Sequence, residues 1–583
     1  MAEKQTISTS RTSDSVTFTI LSDGTALPVA ISIQSIAVWQ EVNRIPRAKI
    51  IVLDGSPADQ TFATSEADYF VPGKEIEIQA GYHSDEECIF KGIVTKHSIK
   101  VRSTGKSHLI IDCAHAAVKM TKVRKSRYFY DTSESDAWEE ILGEYGIQGD
   151  IQATDFAHNQ LLQFEATDWD YIVSRAETNG LFVIGEKEVL SIRPPDFDQE
   201  ATEAVNFGST LLSLDAEIDA ATQLGSVKGQ TWDYSKTEIT EIEAADQNVI
   251  TPGNIDFGDL SEIFTDTEMV LRSNAKQPDE VLQKWADATL MRHQLSKVRG
   301  RAQFQGIPQI TAGKIIELQG LGDRFNGKAF VSGVKHEITG GNWLIDVQFG
   351  LDPTPLTQQF KTTTLPAAGQ QPALNGLQIG IVTQIEGDPN SDERILVNIP
   401  LMNADDQGVW ARIATAGAGD GRGIVNRPEI GDEVVLGFVN DDPNNPIILG
   451  SFNSSNLPSA ITASDDNHEK GWVTRSGIEM MINDDEKSVL VKLPSGKTLL
   501  LSDDADEISM TDDHQNSMVM NSDGITLESG ADIILKTSAG DVKMEGVNIK
   551  ATAQAEAKIE GSATAELSSS GSTTVKGGIV QIN

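Results

Sequence analysis

From about residue 505 to residue 583, short apolar pairs recur with one polar residue inside each pair. They are Ile508/Met510, Met518/Met520, Ile525/Leu527, Ile533/Leu535, Val542/Met544, Val547/Ile549, Ala557/Ile559, Ala565/Leu567, Thr573/Val575 and Val580/Ile582, at a mean spacing of about eight residues. A period of two puts both members of a pair on one face of a strand. Glycines such as Gly524, Gly546, Gly561 and Gly571 stand between pairs, where tight corners need them. One chain cannot close such a core. Burying each apolar side chain gains roughly 1.5–3 kcal/mol at best, while ordering each of about eight residues costs roughly 1–2 kcal/mol. Several chains winding together and pointing their pairs at one axis remove the deficit. From Ser495 onward there is no Pro, Cys, Phe, Tyr or Trp, which suits a thin, fully hydrogen-bonded prism. At about 4.8 Å per layer its length would be about 50 Å. A monomeric solenoid needs longer coils, and disorder does not sustain alternation of this kind. The pattern therefore predicts an intertwined trimeric β-helix, with Ile533, Leu535, Val542, Met544, Ile549, Ile559, Leu567, Val575 and Ile582 in its interior.

Upstream, the first hundred residues alternate as strands (VTFTI, AISIQSIAVW, KEIEIQAGY, CIFKGIVTKHSIK, SHLIIDC) and read as a β-barrel. Helices follow. Ser133 and Asp136 make a capping signal before the stripe Ala137, Trp138, Ile141, Leu142 and Tyr145, which Gly146 ends. A second helix runs over 168–179, with Trp169, Ile172, Val173 and Ala176 inward. A third, near 278–297, carries Val281, Trp285 and Ala288 on one face. An internal echo then appears: GKEIEIQ from Gly73 matches GKIIELQ from Gly313, FKGIVTKH (90–97) matches FVSGVKH (330–336), and LIID (109–112) matches LID (344–346). Its order predicts two copies of one barrel per chain, with His97 and His336 at matching positions. A trimer would then form a ring of six. A Pro/Gln/Thr-rich linker spans 353–375, and five short strands over the next 80 or so residues predict an OB-type barrel.

The formal charge of −39 opposes nucleic-acid binding, which needs a basic surface, and charge-driven docking on anionic lipid. Five acidic and five basic residues from Leu535 onward leave the terminal stretch near neutral. Two cysteines, Cys88 and Cys113, give no disulfide framework. The start MAEKQTISTS lacks the apolar core of a signal peptide, and no run approaches the ~20 apolar residues of a membrane span, so cytoplasmic assembly is expected. The glycine-rich GAGDGRG (417–423) has the wrong spacing for a nucleotide fingerprint. Asp168 and Asp170 start a helix, where carboxylates favour the dipole, and Asp503, Asp504 and Asp506 lack the glycine and glutamate of a calcium loop. No catalytic residue, cofactor or metal site is expected.

Three motifs give the order of parts. They are Asn43-Arg-Ile-Pro-Arg-Ala48; Phe164-Glu-Ala-Thr-Asp-Trp-Asp170 with Arg175-Ala-Glu-Thr-Asn-Gly180; and Arg427-Pro-Glu-Ile-Gly-Asp-Glu-Val434 followed by Asp442-Pro-Asn-Asn-Pro446. Together they make the chain resemble the VgrG-type fused hub-and-spike proteins of contractile injection systems, similar to a phage baseplate hub joined to a cell-puncturing spike. The resemblance implies a mainly β fold with minor α: a hub of tandem β-barrels with helical insertions (1–355), an OB-fold domain (376–455), and an acidic connector leading to the trimeric spike (456–583). It also implies a non-enzymatic homotrimer that adapts threefold to sixfold symmetry. The partners it implies are a hexameric inner-tube protein, baseplate proteins, effector cargo and a PAAR-type tip protein seated on Val580, Gln581, Ile582 and Asn583. The target membrane would be met transiently, when the particle fires. An adhesin or tail fibre would instead expose aromatic clusters and lack the duplication; a spike-borne peptidoglycan hydrolase would need a further paired-carboxylate domain.

Overall fold

A computed structural model describes residues 15–102, 106–360, 362 and 364–582. The fold is mainly β, and it divides into two units, residues 1–372 and 373–583.

In the first unit, β1 (Val16–Ser22), β2 (Ile33–Glu41), β3 (Arg47–Leu53), β4 (Glu75–Tyr82), β5 (Asp85–Val101) and β6 (Ser107–Ala114) form one module, in the spatial order β2-β3-β6-β5-β4-β1. A second module uses β7 (Glu203–Asn206), β8 (Leu211–Ile218), β9 (Val298–Gln305), β10 (Ile315–Gln319), β11 (Gly327–Thr339) and β12 (Asn342–Phe349), in the equivalent order β8-β9-β12-β11-β10-β7. The duplication extends to irregularities. β5 is bulged after Val94 and β11 after Val331; β2 slips between Ile33 and Ser35, and β8 between Leu211 and Ser213. Gly73 and Gly313, both at positive φ, donate their N–H to the carbonyls of Val94 and Val331 at 2.8 Å. A residue with a Cβ would be strained at either corner. Matched core positions trade volume. Ala302 stands where the first module has Ile50, and Phe304 where it has Val52, all buried; cores accept such swaps when total volume is kept.

These bulges place the matches differently from the strings. Val94 corresponds to Val331, so the counterpart of His97 is Val334, and His336 corresponds to Ile99. A two-residue slip leaves every side chain on its original face, so alternation in the sequence cannot detect it. Nor does each copy close a ladder on itself. Residues 333–339 of β11 pair with residues 35–41 of β2, which sews both modules into a single 13-stranded sheet.

Helices α1 (Glu134–Tyr145) and α2 (Asp168–Thr178) lie between the modules in sequence. Ser133 Oγ accepts from Asp136 N, and Gly146 ends α1 in the left-handed region. Trp138, Ile141, Ile172, Val173 and Ala176 form their shared core. In α3 (Asp279–Leu295) Ala288 is buried as expected, but Leu282, Ala286 and Leu290 are buried where Val281 and Trp285 are only half-buried; Ala286 and Leu290 pack with Val227, and Met291 and Leu295 with Phe182, Ile315 and Phe330. The stretch expected to be a free linker is strapped down at first: Leu356 is buried and its N–H donates to Glu177 at 2.8 Å, while Arg44 stacks over Phe360.

In the second unit, β13 (Gln378–Gln384), β14 (Ile395–Asn398), β15 (Val409–Ile413), β16 (Glu433–Phe438) and β17 (Pro446–Ser451) close a five-stranded barrel around Val382, Ile395, Val397, Val434, Leu436 and Ile448. It is the one closed ladder among the described residues. A meander follows: β18 (Glu469–Val473), β19 (Glu479–Asn483), β20 (Ser488–Lys492), β21 (Thr498–Ser502), β22 (Glu507–Thr511), β23 (Ser517–Asn521) and β24 (Gly524–Glu528), each antiparallel to the next. Residues 529–582 carry no strand in the single chain.

Candidate functional site

The meander aligns the apolar pairs. Ile508 faces Met520 and Met510 faces Met518; Met518 in turn faces Leu527, and Met520 faces Ile525. The stripe starts earlier than the sequence reading placed it. Leu499 and Leu501 lie opposite Met510 and Ile508, Val489 and Val491 opposite those leucines, then Met480 and Ile482, then Trp472. The signal for these extra strands was the same x-Φ-x-Φ frame in EMMIN, SVLVK and TLLLS, at wider spacing. Seven strands thus present a continuous apolar face, and within one chain nothing covers it: Trp472, Met480, Leu501, Met510, Ile525 and Leu527 are all exposed. Beyond Glu528 the nominated interior residues Ile533, Leu535, Val542, Met544, Ile549, Leu567 and Val575 are exposed as well, as is Val580, and Ile559 and Ile582 reach 92% and 90%. Gln581 is likewise exposed; Asn583 lies outside the described residues. An exposed apolar patch of this extent marks an interaction surface.

The motifs of the first unit turn out to be joints. Asn43, at positive φ, donates its backbone N–H to the Val183 carbonyl at 2.8 Å; its side-chain oxygen accepts from Val183 N at 2.8 Å and its amide donates to Glu177 at 3.0 Å. The other Glu177 oxygen takes the Leu356 N–H. One buried asparagine therefore ties the sheet, α2 and the strap together. From the same motif Arg175 donates to the buried Glu134 at 2.7 Å, and Asn179 also donates to it. Asp168 is fully buried at the start of α2, held by Lys125 (2.8 Å), Arg127 (2.7 Å), Tyr145 (2.6 Å) and Gln163 (2.8 Å). Burial pushes its carboxyl up, but these partners outweigh that and hold it below the usual range. A carboxylate with its acceptor sites so occupied serves as an anchor. Asp170 instead has its backbone N–H taken by the cap Thr167.

In the barrel unit, Gly431 at positive φ allows a turn in which Asp432 accepts from Glu429 N at 2.8 Å. Asp442 caps Asn444 N and receives the Asn445 amide. GAGDGRG forms a short hairpin in which 418–419 pairs with 422–423. Asp503 and Asp506 close the turn between β21 and β22. Among the described residues no group of three or more His, Cys, Asp or Glu is placed to hold a metal, and no helix is long and apolar enough to cross a membrane.

A family model for the Alg8 N-terminal domain matches residues 12–340, and one for the type VI secretion system/phage-baseplate injector OB domain matches residues 378–452. The actin cross-linking toxin VgrG1 of Vibrio cholerae serotype O1 is 31% identical over 96 residues, which is 15% of this chain and 9% of that protein. Among solved structures, the 43 kDa tail protein of prophage MuSo2 from Shewanella oneidensis has a TM-score of 0.44 at 10% identity, over 58% of this chain and 99% of its own. An E. coli component of the type VI secretion system, described as similar to the T4 tail proteins gp27 and gp5, has a TM-score of 0.37 at 12% identity, over 74% and 99%.

Proposed function

The chain belongs to the family of the Alg8 N-terminal domain, and on that premise we propose that it is the structural hub and spike of a contractile injection machine. It works within a phage-tail-like particle as a homotrimer. The duplicated hub gives six like modules for a hexameric inner tube, and the terminal repeats wind into a spike with Ile533, Leu535, Val542, Met544, Ile549, Ile559, Leu567, Val575 and Ile582 on its axis. Residues 580–583 seat a PAAR-type tip, baseplate proteins hold the hub, and effector cargo rides with the spike as it crosses a target membrane. Its part is mechanical rather than catalytic.

The observation that carries this reading is the uncovered apolar face running from Trp472 to Leu527 and continuing in the pairs beyond it. Its support is the injector-type OB barrel directly upstream. The face is laid out in register, so identical chains can cover one another's pairs with no change of frame. The purified chain should sediment at about three times 63.0 kDa, and electron cryo-microscopy should resolve residues 529–583 as strands shared between three chains. A monomer in native buffer, or a terminal segment that coils alone, would sink the proposal.

A further inference from the structure

Of the ten buried side-chain polar atoms that lack a hydrogen-bond partner among the described residues, three belong to residues lining one cavity. They are His115 Nε2, Thr311 Oγ1 and His336 Nδ1. The cavity, of about 240 Å³, lies where three parts of the first unit meet. β2, β5 and His115 belong to the first module, Thr311, Lys314 and His336 to the second, and residues 185–187 to the insertion between them. His115 and His336 are only 1% and 4% exposed. Leaving a buried polar group unpaired is costly, so three around one space call for a ligand there.

Other polar groups of the lining are already engaged. Gln40 donates to the Gly185 carbonyl at 2.7 Å and accepts from Ala312 N at 3.1 Å. Glu87 takes the Gln309 amide, and Lys91 is held by Glu75 and Glu188. His115 Nδ1 accepts from Ala117 N at 3.1 Å, so the ring proton sits on Nε2, which is a donor. The Lys187 carbonyl bears on that ring but completes no hydrogen bond with Nε2. Burial holds both imidazoles down at about 4, so each is neutral at pH 7 with one N–H to give. The Thr311 hydroxyl is a third donor. Of the charged side chains in the lining that have no side-chain partner among the described residues, two are cations, Lys187 and Lys314, and one is an anion, Glu186; all three residues are exposed.

Water satisfies isolated polar atoms, but three donors and two unpaired cations around one cavity are what an anion needs to leave water. We infer that the cavity binds a small oxyanion, a phosphate or carboxylate group, which accepts from His115 Nε2, Thr311 Oγ1 and His336 Nδ1 and is met at the rim by Lys187 and Lys314. Size narrows the class. A volume of about 240 Å³ lies below the roughly 300–1,000 Å³ of sites for drug-sized ligands, which suits a small ion with part of its water rather than a nucleotide or a peptide. One bound ion would tie both modules and the insertion together. All of these groups come from a single chain, so the site stands whether or not the chain trimerises.

The test uses the full-length chain and a reporter it already carries. Cys88 lines the same cavity and is half-buried, whereas Cys113 is buried. Labelling of Cys88 by iodoacetamide, read by mass spectrometry, is followed across titrations of inorganic phosphate, succinate and sodium chloride at matched ionic strength. An occupied cavity should protect the thiol. Its labelling rate should fall about fivefold at about four times the half-effect concentration, since only the unliganded fraction reacts. Protection by phosphate or by succinate supports the site, and the one that acts at lower concentration names the group. Thr311→Val, which keeps the shape and removes the hydroxyl, should raise the half-effect concentration about tenfold. Lys314→Gln, on the exposed rim where the fold does not depend on it, should raise it about threefold. Protection no greater than that by chloride, or half-effect concentrations unchanged in both variants, would overturn the proposal.

Discussion

The hub sheet and the terminal repeats alternate apolar with polar residues in the same way, yet one closes on itself and the other does not. In the hub, Ile50, Ile76 and Ile111 are wholly buried, whereas across residues 456–582 only Ser488 and Ser509 are buried. Strand length accounts for the difference. Hub strands run to 17 residues, and their inner faces meet in clusters that draw on both modules, with Ile338 and Trp343 packed into the core of the first, while the meander strands are all five residues long and leave their apolar face exposed. Alternation states which face seeks cover. Whether the same chain can supply that cover depends on how far its strands reach.

The contrast breaks most sharply at the axis. Ile559→Asp should abolish trimer assembly, because three carboxylates would meet in a dry interior, while the hub of the resulting monomer keeps its melting temperature; calorimetry with sedimentation reads both. Ile111→Ala should destabilise the hub by about 2–5 kcal/mol at any protein concentration, whereas melting of the terminal repeats in Ile559→Ala should depend on concentration, as mass action requires. Asp168→Asn should cost the hub about 2–3 kcal/mol in urea melts. That is less than breaking a wholly buried pair, because Lys125 and Arg127 keep some contact with water.

Acid sharpens the comparison further. Burial holds the His336 imidazole down at about 4 against its usual 6.5. Its stabilising contribution is therefore complete above pH 6.5 and is lost as pH falls towards 4, since only the unfolded chain takes up the proton readily. The urea midpoint of the hub should fall across that window, and His336→Phe should flatten part of the fall. Smallest of all, deleting residues 580–583 should leave trimer stability unchanged and abolish capture of a tip protein in a pull-down.

Much of this was legible beforehand. Caps such as Ser133 and Gly146, the stripe of α1, the five strands of the OB barrel and the duplication of the hub all follow from local patterns whose physics acts over a few residues. What escaped was register. His97 and His336 matched as strings because a two-residue slip is invisible to a period of two, and the bulges after Val94 and Val331 leave no mark in composition. The anchoring of residues 356–360 escaped for a related reason: nothing in the string LTQQF says that Glu177, 179 positions away, waits for the Leu356 N–H. Asp168 read correctly as a helix-start acid, but its partners Lys125 and Arg127 come from a strand about 40 residues upstream, Arg124–Ser133.

Sequence by itself determined most strands and helices upstream of residue 529 and the faces there that must leave water, because side-chain period and turn chemistry are short-range. Only the tertiary structure decided which strands lie side by side, which edge of each module is already occupied, and which apolar faces one chain cannot cover. Those are set by hydrogen-bond registers and by the reach of strands distant in sequence, and no local pattern encodes them.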